Sequence, residues 1–539
     1  MTKQSPYPFP ASAWSRAGWV PERPTNQDPE IWGYTDQFSY LPGDTVNLRV
    51  HTTADRYSVK VVRDGLDPRE VLRIGDLPGQ TQHTPEDAYA AGCGWDISTT
   101  FQVDHEWQSG LYLLLLSAEV DGTVVESEHF LVVRASRPGA KTPYVLVLTT
   151  STMLAYNDWG GANHYRGRGD DPTIDVPSPV VSMLRPVAKG MLRKPVNAPR
   201  NRNEQPLPPF GVPRYETLEW ARLNGYSRHH ADAFWATYER PFVLWAEENG
   251  YDLEYLTQDD LHRNPNILSP YHCAIIVGHD EYWTWEMRDE VDRFVDAGGN
   301  IARFAANFDW QVRIEGTTQI AYKTAAPTED PLFDTAQKER STTSWDHPVT
   351  GRPSAQTFGL SGDAGVYTGY GASAPRGHGG LVIYRPQHWV FDDADCYYGD
   401  VLGAAPSRIG TFEVDGCDYV FRGGLPYPTG TDGTPDTLEI LAMTTAVLFE
   451  EDHFSGRVPL GDAGSASIDE LRDIEWFEDT PGHRRPRYGS GMMACFTRGK
   501  GTVFNSGTTE WVAGLLHRDW FVEKVTKNVL ERLGAGPHE

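Results

Sequence analysis

Short apolar runs separated by turn residues fill the first quarter of the chain, and the hydrophobic period changes beyond it. Residues 1–30 are polar and proline-rich and predict an extended N-terminal arm. From Ile31 to about Arg134, apolar and polar positions alternate between turn signals such as Pro42-Gly43-Asp44 and Asp64-Gly65. Val46–Val50, Tyr57–Val62, Leu111–Leu116 and His129–Val133 are the clearest runs. Regular short strands without a helical period predict an all-β sandwich over residues 31–136. Pro138 to Pro143 is the expected linker.

Residues 140–539 follow a different rhythm. Tyr144–Thr150 and Cys273–Val277 are continuous apolar runs, as in parallel strands buried on both faces. Phe242, Leu244, Trp245 and Ala246 mark a helix that closes near Gly250. Met287, Val291, Phe294 and Val295 form one apolar stripe, and Gly298-Gly299 ends it as a C-terminal cap. Ile301–Ala306 is the next strand, Gly501–Gly507 a later strand and turn, and Phe521–Leu530 a terminal amphipathic helix. Strand and helix alternating in this way predict a doubly wound α/β domain, interrupted by long irregular stretches at 158–215 and 325–436.

In such sheets ligands bind beyond the carboxyl ends of the strands. Gly278-His279-Asp280-Glu281 occupies one such end, Asn307 the next, and Tyr156 follows a third strand by a few residues. His279 and Asn307 are therefore expected to be neighbours across one crossover. No Cys or Ser stands between Gly278 and Tyr282, so a nucleophile-elbow hydrolase would lack its nucleophile there.

Composition narrows the class. A formal charge of -26, from 74 acidic against 48 basic residues, argues against a nucleic-acid partner. No apolar run is long enough to span a bilayer, and the first residues lack the apolar core of a signal peptide. A cytoplasmic protein without membrane contact is expected. The five cysteines are scattered, which argues against a zinc ribbon or a disulfide framework. His229-His230-Ala231-Asp232 is dense in metal-type groups, but neighbours on a helix diverge by about 100°, so a solvated surface cluster is expected.

The runs AYNDWGG, GHDEYW, GGNIARFAANFDWQV, FEVDG at 412–416 and GTVFNSGTTEW at 501–511 occur in that order. Together they resemble the C-terminal catalytic domain of the N,N-dimethylformamidase large subunit family, over roughly residues 140 to 535. The resemblance implies a class I glutamine amidotransferase-like fold without that fold's cysteine. It also implies a mononuclear ferric iron held by two tyrosines and a glutamate. Glu281 and Tyr156 match two of these ligands; Tyr165 is the choice for the third, with Tyr215 its rival. His279, Asn307 and Glu413 match the catalytic positions. The family's usual proline is Asp280 here, which places an extra acid beside Glu281. A small companion subunit is also implied, and the sequence has no counterpart of it; a homo-oligomer is expected.

The chemistry is self-consistent. Phenolates and carboxylates are hard donors, suited to a hard trivalent ion rather than to zinc. Such a centre would activate water against the C–N bond of a small or N-substituted amide. His279 and Asn307 would orient substrate or stabilise the oxyanion, and Glu413 would serve as general base and then general acid. Phe308, Trp310 and Phe449 are the expected apolar walls, and Tyr282 is expected to be silent. The rival reading is a carbohydrate- or partner-binding protein with a non-catalytic α/β domain.

Overall fold

The computed structural model describes residues 22–168, 176–201, 216–365, 378–447, 457–459, 465–467, 480–483, 486 and 488–536. Between Ile31 and Val133 the chain forms two sheets. The first has the order Ile31–Thr35, Thr45–Thr52, Thr99–Gln102. The second runs Ser39–Tyr40, Thr123–Val133, Gly110–Val120, Arg56–Arg63, Arg69–Pro78. Alternate residues of both, Val46, Leu48 and Val50 from one and Val59, Val61, Leu114 and Leu116 from the other, meet in one buried cluster. The opposite face of the second sheet is apolar too. Leu111, Leu113, Phe130 and Val132 pack with Phe234 and Trp235 into the main core of the chain. This double burial explains why Leu111–Leu116 is an unbroken apolar run. Asp64 adds a polar anchor, accepting from Trp235 Nε1 at 2.8 Å and pairing with Arg240 Nε at 2.8 Å.

The large sheet has nine strands. Their order is Glu254–Thr257, Tyr144–Leu148, Cys273–His279, Asn300–Ala306, Gly501–Asn505, Tyr488–Arg498, Glu439–Val447, Leu381–Ile383, Val401–Leu402. The first five are parallel and the last four antiparallel. Side chains alternate between two cores. Leu146, Ile275, Val277 and Phe304 join helices Glu239–Glu248, Trp511–Leu516 and Trp520–Gly534 on one face. Val145, Val147, Ala274, Ile276 and Ile301 meet helix Trp285–Ala297 on the other. That helix starts where Thr284 Oγ1 accepts from Met287 N at 3.2 Å, and it stops at Gly298, whose φ of 115° is left-handed.

Parts of the two irregular stretches carry regular structure. Val180–Ser182 pairs with Thr318–Ile320, and Leu381–Ile383 and Val401–Leu402 extend the large sheet. Runs of two or three residues are too short to show a period. Among the described residues no helix is long and apolar enough to cross a membrane.

Candidate active site

Parallel pairing of Cys273–His279 with Asn300–Ala306 sets His279 opposite Ala306, so Asn307 emerges beside His279. The turn needs its glycine. Gly278 has φ 85°, and a Cβ there would lie 2.2 Å from Tyr238 Cβ. Asn307 and Phe412 also have positive φ, 63° and 67°. Asparagine tolerates this region, whereas a phenylalanine is rarely found there. Phe412 thus holds a strained backbone immediately before Glu413, a pattern that clusters at functional sites.

A buried ionic chain braces these ends. Arg303 Nη1 lies 2.6 Å from Asp415 Oδ2, and Asp415 Oδ1 accepts from the Asn307 backbone at 2.6 Å. Arg303 Nε reaches Asp280 Oδ2 at 3.1 Å, and Trp283 Nε1 donates to Asp280 Oδ1 at 2.7 Å. The extra acid beside Glu281 is therefore committed to Arg303. Burial pushes the Asp280 carboxyl up to about 6, with Arg303 acting in the opposite direction.

Three oxygens converge beside this frame. Tyr156 Oη donates to Glu281 Oε2 at 3.0 Å, Tyr165 Oη to Glu281 Oε2 at 2.8 Å, and the two phenols lie 2.8 Å apart. Tyr156 ends helix Thr150–Tyr156, and its ring stacks on Tyr165 with centroids 4.5 Å apart. Trp310 Nε1 donates to Glu281 Oε1 at 2.7 Å, so Trp310 orients the carboxylate. Tyr282, expected to be silent, donates to Tyr165 Oη at 2.7 Å. Lys323 Nζ lies 3.6 Å from the Tyr165 ring centroid, a cationic partner that no local pattern marks. Burial, reinforced by the Glu281 charge, holds the Tyr156 and Tyr165 phenols far above their ordinary range.

Next to the oxygens stands an acid–base pair. His279 Nε2 lies 2.5 Å from Glu413 Oε2 and 3.4 Å from Glu281 Oε2. Its Nδ1 is 2.6 Å from the Asp232 carbonyl, which can only accept, so that nitrogen carries a hydrogen. Burial disfavours the imidazolium, but the Glu413 charge outweighs it and lifts His279 to about 9. Burial also raises Glu413, opposed by His279. Asn307 Nδ2 donates to Glu413 Oε2 at 2.9 Å.

Two further expectations need correction. Phe308 is not a wall of this cluster: it is buried in the core on the far face, its ring 4.8 Å from Phe358 and 5.6 Å from Trp283. The left-handed turn at Asn307 sends consecutive side chains to different sides. Phe412 packs edge-on to His279 at 5.6 Å. The 229–232 segment is a buried turn and not a surface helix, with His229 and His230 only 6% and 0% exposed. Asp232 accepts from His279 with its carbonyl and binds His229 Nδ1 with Oδ2 at 2.5 Å. Phe449 and Tyr215 lie outside the described residues.

The donor set fits a small hard cation. Cis ligands on bonds of about 2.1 Å sit roughly 3.0 Å apart, and these three oxygens are 2.8 to 3.0 Å from one another. Among the described residues no three His, Cys, Asp or Glu side chains converge as a metal site. Two of the donors here are phenols, a type outside that group.

No curated protein matches the sequence. Among solved structures, one match is titled as a family 123 glycoside hydrolase from Clostridium perfringens. It is 9% identical and covers 24% of this chain and 31% of that one, at a TM-score of 0.10, too low to carry an argument. The family model described as N,N-dimethylformamidase beta subunit-like, C-terminal, matches residues 58–525. It begins inside the strand Arg56–Arg63, so the match takes in the β-rich region as well as the large sheet. Spanning most of the 539 residues and every residue of the cluster, that match shows that the chain belongs to the N,N-dimethylformamidase beta subunit-like family.

Proposed function

We propose that this chain is an amidohydrolase that uses a ferric ion on Tyr156, Tyr165 and Glu281 to cleave the C–N bond of a small or N-substituted amide by water. The observation that carries this reading is three mutually bonded hard oxygens beside a His279–Glu413 pair 2.5 Å apart. Two phenolates and a carboxylate offset three positive charges, and family membership points to the same class of reaction. When bound, the metal lowers the pKa of water and polarises the amide oxygen.

The residues then divide the work. Glu413 takes a proton from the attacking water on its carboxylate as the new O–C bond forms, while His279 keeps the pair's own proton on Nε2. The proton returns to the amine nitrogen as the C–N bond breaks. Asn307 holds Glu413 in line and offers its amide to the developing oxyanion. Trp310 and Tyr282 fix the oxygen donors, as hydrogen-bonded neighbours of metal ligands do. Because both phenols are held protonated by burial and by Glu281, metal loading would release two protons.

Five parallel strands covered on both faces, with no Cys or Ser at Gly278–Tyr282, support a glutamine amidotransferase-like domain that has exchanged its nucleophile for a metal. Metal analysis and a visible spectrum of purified protein test the proposal. About one iron per chain with a phenolate-to-iron band is expected. Protein that stays colourless and iron-free after reconstitution would sink it.

A further inference from the structure

One backbone carbonyl orients the acid–base pair, and side chains from distant parts of the chain hold the turn that carries it. His279 Nδ1 lies 2.6 Å from the carbonyl oxygen of Asp232, which closes the turn 227–232. That oxygen can only accept, so it selects the ring orientation in which His279 Nε2 meets Glu413 Oε2 at 2.5 Å. The turn belongs to no helix or sheet. Its backbone bonds run from His230 N to Ser227 O at 3.2 Å and from Asp232 N to His229 O at 3.1 Å.

Side chains then fix it in place. Ser227 Oγ donates to Asp158 Oδ1 at 2.8 Å, and Lys194 Nζ donates to the His230 carbonyl at 3.1 Å. Asp232 carries the last clamp itself. Its Oδ2 is 2.5 Å from His229 Nδ1, and its Oδ1 accepts from Asn201 Nδ2 at 2.5 Å. Both nitrogens donate to the carboxylate, whether the His229 ring is neutral or charged. Hydrogen bonds to an ionised acceptor are roughly twice as strong as neutral ones. The residue whose main chain orients the imidazole is thus anchored through its own carboxylate.

We infer that Asp232 is a positioning residue for the hydrolysis: its carboxylate, clamped by His229 and Asn201, holds the carbonyl that aims His279 at Glu413. This rests on the amide-hydrolase reading and adds the third group of its acid–base chain, in the way that a catalytic base is itself oriented by a further group. The tolerance is small, since a displacement of about 1 Å can cost on the order of 10²-fold in rate.

The experiment measures iron content, visible band, kcat and KM on iron-loaded protein, with the best of formamide, N-methylformamide and N,N-dimethylformamide as substrate. Asp232→Ala keeps the carbonyl and loses the clamp, so kcat should fall about 10²-fold with KM, iron and band unchanged. Asp232→Asn, which still accepts from Asn201, should recover part of the loss. In a His279→Gln background the same Asp232→Ala change should add little, because residues acting through one another are not additive. Should Asp232→Ala fail to fold, Asn201→Ala removes one of the two bonds and should lower kcat on the order of 10-fold. Wild-type kcat in the variant that folds, loss of iron from folded Asp232→Ala, or an equal loss with and without His279 overturns the inference while leaving amide hydrolysis standing. No turnover of any of the three amides by wild type overturns both.

Discussion

His279 Nε2 and Glu413 Oε2 lie 2.5 Å apart, and the hydrogen that the Asp232 carbonyl fixes on Nδ1 leaves a single further proton for the pair to share. Neither residue can be replaced without changing the other's proton. The three oxygens proposed to hold the metal form a separate group, which meets the pair at the 3.4 Å contact between His279 and Glu281.

That separation predicts different consequences for two similar substitutions. Glu281→Gln removes one of three anionic donors, and iron and colour should be lost together. Glu413→Gln should keep both and lower kcat by about 10²–10⁴-fold, the range for a general acid–base group. Metal content and absorbance of the two variants decide this. Full iron in Glu281→Gln would show that the strand end does not anchor the metal.

Tyr282→Phe should not be silent. Its hydroxyl donates to Tyr165 Oη at 2.7 Å, so its loss changes the basicity of a proposed metal ligand. Neighbours of this kind typically contribute about 10–100-fold in metal affinity. Competition with a chelator should show weaker iron in Tyr282→Phe, with a shifted band. An unchanged affinity and spectrum would leave Tyr282 as packing alone.

Gly278→Ala combines a left-handed φ of 85° with a Cβ 2.2 Å from Tyr238 Cβ. Backbone strain and overpacking together should cost about 2–5 kcal/mol. Chemical denaturation measures it, and a loss well under 1 kcal/mol would mean that the turn yields more easily than its packing implies.

His129 gives the β-rich region a pH signature. Its ring is wholly buried, with Nε2 3.2 Å from Thr35 Oγ1, and burial pushes its pKa down to about 3. The unfolded chain binds this proton from about pH 6.5, so the contribution is present above that pH and lost as pH falls toward 3. The loss is about 1.4 kcal/mol per pH unit. His129→Gln should lower the pH slope of the denaturation free energy by about one proton over this window. Parallel slopes for variant and wild type would exclude it.

Local periodicity and end signals determined the elements that frame the site. The apolar run to Val277, the cap residues Thr284 and Gly298 and the strand Asn300–Ala306 all act over a few residues, and short-range sterics set them. Parallel pairing of successive strands then required His279 and Asn307 to be neighbours. Tertiary structure alone decided the rest. Glu413 comes from a bent segment whose strained Phe412 is held by distant contacts, and Asp415 reaches Asn307 only because Arg303 lies buried between two acids. The turn carrying His229 and Asp232 has no period, so the sequence could not place it against the tyrosines. Phe308 turned to the opposite core because one left-handed residue, Asn307, redirects the chain beyond a strand end. Where backbone direction depends on partners far along the chain, a local pattern carries the residue's chemistry and not its destination.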